Sequence, residues 1–551
     1  MAVNAQEEGA RTGVFARKAT GLVREGSPWS VLVYNINFVS IGLMLVFAFV
    51  MEPAFYPGGN IEGTFLGAFI IVIPTSLTFA FLAAAMPRSG GTYVYVSRIL
   101  GPSWGMMSSL NNTIWWILYG GVPSAFFAYY GLTPLLRGLG VLTNNSTLIR
   151  YGNDLSTPTG AFVVGAILIA VLVAIFAIGL NTYFRIQNVL FVVALVGIAV
   201  TIGILATTSH TAFVASFNHY IGRITGHRGA YGQVIAAAKK SGFRTAPFSF
   251  YWTLIPMTWI YLELVFNQSS AYIGGEVKRP GRVQLWSMPF AAIFSTGVAM
   301  LVAWLMSRVV GTTLLGAVSY TNGNAMGFTS APVYTELVGY AAGNVVLGFI
   351  ITFGFLFFSY SWLPGQILNS SRNLLAYGID GVFPSWFGKV SEKRHTPINA
   401  LVVMGIGSIG ALFWYTRPTS PFKTLTGIFG FLLSFLMVSI AAVLFPYRQR
   451  SVFETSPVNW RIGRVPVVSV VGALSFAACG FMVWDYLNDP LSGLSAVPHN
   501  TGGIFGHQTF FMFILNIFIW LLGWGVYWVA KLVRSRRGID LSATYRELPV
   551  E

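Results

Sequence analysis

The chain has 551 residues, of which 55% are hydrophobic and only 9% charged, with a mean hydropathy of +0.67. Soluble domains carry about 25% charged residues, so this composition excludes a soluble enzyme, a disordered chain and a fibrous protein. The formal charge is +16, from 33 Lys and Arg against 17 Asp and Glu, and the single cysteine, Cys479, excludes a disulfide framework or a multi-cysteine metal site.

A bilayer core about 30 Å thick needs about 20 apolar residues in a helix, because lipid satisfies no backbone polar group. Twelve stretches nearly free of Asp, Glu, Lys and Arg meet that need: 29–52, 63–86, 103–130, 160–180, 183–206, 248–275, 286–310, 343–369, 397–416, 421–445, 465–487 and 507–530. With the N-terminus in the cytoplasm, 23 of the 33 Lys and Arg fall on the inner side, as the positive-inside rule requires. Both termini are therefore expected to be cytoplasmic, in a cell membrane. The positive charge reads as a topology signal that favours anionic lipid, and no nucleic-acid partner is expected.

The N-terminal tail, 1–28, carries Glu7, Glu8, Arg11, Arg17, Lys18, Arg24 and Glu25. The apolar run after it is too long for a signal-peptide h-region, so no cleavable signal is expected. Spans 1–5 form a first five-helix block (29–206). An external loop, 207–247, follows, with a short amphipathic surface helix expected near 233–240. Spans 6–10 form a second block (248–445), spans 11 and 12 are accessory (446–530), and 531–551 is a cytoplasmic tail. The loop at 488–506 has no Lys or Arg and carries Asp489 and His499.

Several chemistries lack their signatures. There is no G-x-x-x-x-G-K-[ST] phosphate loop and no H-E-x-x-H or Cys/His cluster, which argues against an ATP-driven pump and metal hydrolysis. His210, His219, His227, His395, His499 and His507 all fall in loops or at span ends, and no cofactor or metal is expected.

Ionisable groups inside hydrocarbon are costly and usually functional. Only Glu263 lies deep in a span; Asp485 lies near the outer end of span 11. At helical spacing Trp259, Glu263, Asn267 and Ser270 share one face. That face reads either as a binding surface or as polar glue between helices. Span 1 carries Asn35, Asn37, Val39, Ser40, Ile41 and Gly42, and Asn, Ser and Gly weaken a helix. It reads either as broken near 39–42 or as a continuous helix with a small-residue packing face. Spans 1 and 6 each open a five-helix block. Interrupted helices at matching positions of inverted repeats point to a transporter's site.

Three stretches resemble the amino acid–polyamine–organocation (APC) superfamily. The first follows span 2 with Pro87, Gly90, Gly91, Tyr93, Tyr95, Arg98, Gly101 and Pro102. The second closes span 6 with Gly274, Gly275, Glu276, Val277 and Pro280. The third follows span 8 with Arg372, Tyr377, Gly378, Asp380, Gly381 and Pro384. The resemblance implies an all-α membrane fold of twelve transmembrane helices, a five-plus-five inverted repeat with two accessory helices. It implies amino-acid transport by alternating access. Substrate carboxylate would rest on Val39, Ser40, Ile41 and Gly42, and the ammonium group at a break in span 6 formed by Val265, Phe266, Asn267 and Gln268.

Other residues complete the expectation. Trp115 and Trp116 would wall the substrate cavity or simply pack. Arg88 and Arg98 read as lipid anchors, and Arg372 with Asp380 as an inner-gate pair. A coupling sodium ion would draw on Ser359 and Ser361 in span 8. A coupling proton, the favoured reading, would use Glu263, the only carboxylate at that depth. The alternatives are an exchanger without ion coupling, or a channel-like or other carrier for a different small solute. A major-facilitator carrier would carry its long loop between spans 6 and 7, whereas here it follows span 5.

Overall fold

In the computed structural model the described residues are 21–417, 420, 426–494 and 508–545. Their principal helices are α1 (Pro28–Val39), α2 (Ile41–Phe55), α3 (Ile61–Ala85), α4 (Thr92–Ile99), α5 (Pro102–Phe126), α6 (Thr133–Thr143), α7 (Pro158–Ile178), α8 (Leu180–Thr207), α9 (His210–Thr225) and α10 (Ala230–Lys240). Then come α11 (Met257–Leu264), α12 (Pro280–Val309), α13 (Thr312–Tyr320), α14 (Tyr334–Ala342), α15 (Val345–Leu356), α16 (Trp362–Ile379), α17 (Ile398–Tyr415), α18 (Thr426–Arg448), α19 (Val467–Asn488) and α20 (Gln508–Ser535). A two-stranded antiparallel hairpin, β1 (Arg461–Ile462) and β2 (Val465–Pro466), links α18 to α19. Residues 1–20 of the expected N-terminal tail, 546–551 of the C-terminal tail, His499 and His507 lie outside the described residues.

Among the described residues, ten helices are long and apolar enough to cross a bilayer. They fall on ten of the twelve stretches read from the sequence. The other two, 248–275 and 343–369, contain breaks that shorten their helices. The first converts after α11 into a 3-10 segment, Val265–Tyr272; the second is split into α15 and α16 by residues 357–361. The span read as 103–130 is longer than expected. It continues through a π-helical turn at Phe127–Leu132 into α6.

Burial tells which helices face lipid. The most apolar stretch of α1–α2 is 94% buried, against 28% for α7 and for α20. The broken α1–α2 span therefore sits at the centre of the bundle, behind helices whose outer faces carry exposed Ile167, Val189 and Val529.

The loop 207–247 differs from expectation. It holds two helices, α9 as well as α10, and α10 begins at Ala230, before the stretch read as amphipathic. Phe213, Phe217 and Ile221, each four residues apart, are all buried, and the Ser216 hydroxyl donates to the Tyr340 carbonyl at 2.5 Å. The same end of the molecule holds a fully buried ion pair, Arg137 with Glu336 (2.8 Å), joining α6 to α14.

Candidate functional site

Span 1 breaks at one residue. Ser40 adopts a left-handed φ of 51°, which costs a non-glycine residue about 1–2 kcal/mol. Its surroundings hold it there. The Ser40 N–H bonds to the Ile36 and Asn37 carbonyls (3.1 Å each), and its hydroxyl donates to the Phe358 carbonyl at 2.8 Å. Phe358 lies in the gap between α15 and α16, and Ser361 donates to the same carbonyl at 2.8 Å. A side chain of one interrupted span thus satisfies a carbonyl freed in the other.

Helix α2 restarts at Ile41. By helix geometry the first N–H groups of α2 have no carbonyl one turn back, and they sit at the positive end of its dipole. Only Leu43 N–H reaches the Ser40 hydroxyl, at 3.4 Å. Val39, Ser40, Ile41 and Gly42 are all buried. A Cβ added at Gly42 would lie 2.6 Å from the Phe355 ring and from Phe358 Cβ. Gly42→Ala is therefore expected to cost about 1–3 kcal/mol through overpacking, read as a lower unfolding temperature in detergent. An unchanged transition would show free space there.

Span 6 tightens rather than unwinds. From Val265 to Tyr272 the chain is 3-10 helical and wholly buried. Side chains compete for the carbonyls, as Asn and Ser do: Asn267 donates to the Leu264 carbonyl (2.7 Å) and Ser269 to the Phe266 carbonyl (2.8 Å). The change of period also splits the expected polar stripe, because 3-10 geometry turns further per residue. Glu263 meets Trp362, Asn267 accepts from Ser76 at 2.7 Å, and Ser270 bonds to Asn35 and Gln284. These residues contact three sides of the span and do not form one face. The Ser270 contacts pin α1 and α12 to the 3-10 segment.

Glu263 is fully buried. Trp362 Nε1 donates to its Oε2 at 2.5 Å, while Oε1 has no hydrogen-bond partner among the described residues. Aromatic rings gather beside it. Phe47 lies 5.8 Å from Trp259, 6.2 Å from Trp362, 5.7 Å from Phe126 and 6.4 Å from Tyr130, centroid to centroid. On the other side Phe266 stacks on Phe38 at 5.0 Å and meets Phe431 edge-on at 5.2 Å. Such walls favour apolar groups and cations alike.

The remaining expected residues separate. Trp116 packs against Tyr272 (4.7 Å) and Phe431 (5.6 Å), beside the 3-10 segment. Trp115 instead packs toward Gly427 and Gly430 of α18. Val265 is buried with its neighbours, and neither end of the Gln268 amide has a partner among the described residues. Ser361 and Asn37 line a crevice of about 190 Å³ beside α7 and α8. Ser359 lies against Gly131 and donates to the Leu356 carbonyl at the end of α15, 2.7 Å away.

Where span 6 ends against α16, two buried ion pairs stand in place of the expected Arg372–Asp380 pair. Arg372 grips Glu276 with two hydrogen bonds of 2.8 Å, and Arg98 pairs with Asp380 at 2.9 Å. Arg98 is therefore an interior ion-pair partner and not a lipid anchor. Gly26 N–H donates to the Glu276 carbonyl at 2.8 Å and Lys278 N–H to the Gly26 carbonyl at 2.9 Å, which ties the chain before α1 to the end of span 6.

Near the start of α11 Trp259 Nε1 donates to Tyr56 (2.8 Å), whose hydroxyl donates to Asp489 (2.6 Å). Burial pushes the Asp489 carboxyl up to about 7, against the lowering effect of the Tyr56 hydroxyl. A carboxyl raised above its unfolded value of about 3.9 binds more protons when folded, so stability falls as pH rises from about 4 to 7. Asp489→Asn is expected to flatten the melting temperature across that window. A profile parallel to the unmodified protein would contradict this.

The model for the amino acid permease family matches residues 27–522, and the chain belongs to that family. It is therefore a multi-pass membrane transporter rather than an enzyme, and the family supports amino-acid transport. The branched-chain amino acid permease BcaP of Lactococcus lactis is 25% identical over 439 residues, 78% of this chain and 82% of that protein. The BcaP of Bacillus subtilis is 20% identical over 82% of this chain and 86% of its own length. The cationic amino acid transporter 3, mitochondrial, of Arabidopsis thaliana is 24% identical over 188 residues, 34% of this chain and 28% of that protein.

Proposed function

We propose that this chain is a secondary active transporter that carries amino acids by alternating access, gripping substrate between the interrupted spans 1 and 6. The carrying observation is that two central interrupted segments lie side by side, with buried helix-start N–H groups on one and a singly hydrogen-bonded Glu263 beside the other. In this reading the N–H groups of Ile41 and Gly42 receive the substrate carboxylate. Val265, Phe266, Asn267 and Gln268 face its ammonium group, and Phe38, Phe266 and Trp116 surround its side chain. The fold is a five-plus-five inverted repeat of twelve spans. Spans 11 and 12 are accessory, both termini are cytoplasmic, and the setting is a cell membrane.

The side chain carried is apolar. Two bacterial relatives named for branched-chain amino acids support this, and the aromatic walls accommodate it. Glu263 carries the coupling proton in this reading. The singly hydrogen-bonded carboxylate also suits a second reading, in which Glu263 receives a cationic side chain. A sodium ion at Ser359 and Ser361 is less favoured, because the two hydroxyls lie in different surroundings.

A thermal-shift screen of the purified protein against the common amino acids, at two pH values with and without sodium, tests this. Leucine, isoleucine or valine is expected to raise the melting temperature, more so at acidic pH and independently of sodium. A shift only with lysine or arginine would favour the second reading. No shift with any amino acid would contradict both.

A further inference from the structure

We propose that a groove at the basic end of α20 binds one anionic phospholipid. The groove is an open depression of about 710 Å³ between α20 and the loop that follows α16. Its walls are apolar, with Phe383 on the loop and Val526, Val529 and Val533 on α20, and it ends at Arg534 and Arg537. Two features select the occupant.

The first is length. From Leu522 to Val533 the apolar wall of α20 runs about 17 Å at 1.5 Å per residue, close to the hydrocarbon depth of one leaflet, about 15 Å. An acyl chain fits that path. The second is charge. Lys531, Arg534, Arg536 and Arg537 cluster where α20 ends, at the depth where a phosphate headgroup would sit. Guanidinium groups are suited to phosphate.

The site touches the transport core. Arg534 Nε donates to the Gly381 carbonyl at 2.9 Å, and Gly381 follows Asp380, which is paired with the buried Arg98. The bound lipid braces the loop that carries this inner ion pair.

The test uses the full-length protein in nanodiscs holding equal phosphatidylcholine and phosphatidylglycerol, followed by native mass spectrometry of the lipids retained. The wild-type chain is expected to retain one phosphatidylglycerol in preference to phosphatidylcholine. Arg537→Gln, at an exposed position, should cut that preference roughly fivefold. Val529→Trp, also at an exposed position, should block the groove and remove it while leaving the arginines intact. Equal retention of the two lipids by the wild-type chain would overturn the proposal. So would an unchanged preference in Arg537→Gln, or a dimer whose second copy fills the groove.

Discussion

Glu263→Gln is expected to reduce proton-driven amino-acid uptake into liposomes to the leak level while leaving a folded protein. The glutamine is nearly isosteric and can still accept from Trp362, so packing around Phe47 and Trp259 is kept. What is lost is a group that changes charge inside the bundle. An isolated carboxylate in an apolar interior is strongly penalised, and Glu263 has a single neutral donor and no basic residue in hydrogen-bond contact among the described residues. Such a group is suited to take up a proton or a substrate cation during transport. Trp362→Phe removes the one hydrogen bond, worth about 1.5–3 kcal/mol for a charged acceptor, and should alter the pH profile while also opening a small cavity where the larger ring stood. Unaltered uptake and pH dependence in Glu263→Gln would refute the proton role. Loss of lysine binding alone would instead mark the residue as a side-chain receptor.

Breaking the inner ion pair gives the second large effect. Arg372→Ala leaves Glu276 buried without its bidentate partner, and removing one member of a buried pair costs about 3–5 kcal/mol. The melting temperature in detergent should fall sharply, and Glu276→Ala should do the same. The combined Arg372→Met, Glu276→Leu variant should recover most of the lost stability, because neither charge then remains unpaired. Its uptake should nevertheless differ from wild type, since the pair joins the end of span 6 to α16. If the double variant is as unstable as the singles, the pair is not the source of the effect.

Hydrophobic patterning made most spans legible, because burial in lipid demands about 20 apolar residues whatever the tertiary contacts. The span-1 break was only half legible: Asn37, Ser40 and Gly42 weaken a helix but equally suit a packing face, and the break falls at Ser40. Other features lie beyond local reading. Arg372 reaches Glu276 across 96 residues of chain and Arg98 reaches Asp380 across 282. From spacing alone the nearby Asp380 looked the better partner for Arg372. Trp362, Phe47, Phe38 and Phe431 could not be told from packing or interface aromatics, because only the folded bundle brings them to Glu263 and the 3-10 segment. The stripe through Trp259, Glu263, Asn267 and Ser270 assumed a constant α-helical period, which the 3-10 turn from Val265 removes. Helix α9 had a readable signal in Phe213, Phe217 and Ile221, spaced as one buried helical face.

In the proposed mechanism a dipolar amino acid sits where α1 gives way to α2, opposite the 3-10 segment of span 6. Cryo-electron microscopy of the protein saturated with the amino acid that most raises its melting temperature tests this most directly. Density for its carboxylate within hydrogen-bond reach of the Ile41 and Gly42 N–H groups, with the ammonium group toward Val265–Tyr272, is the predicted result. Substrate density elsewhere, with the Ser40 region unchanged and filled by side chains, would contradict the account.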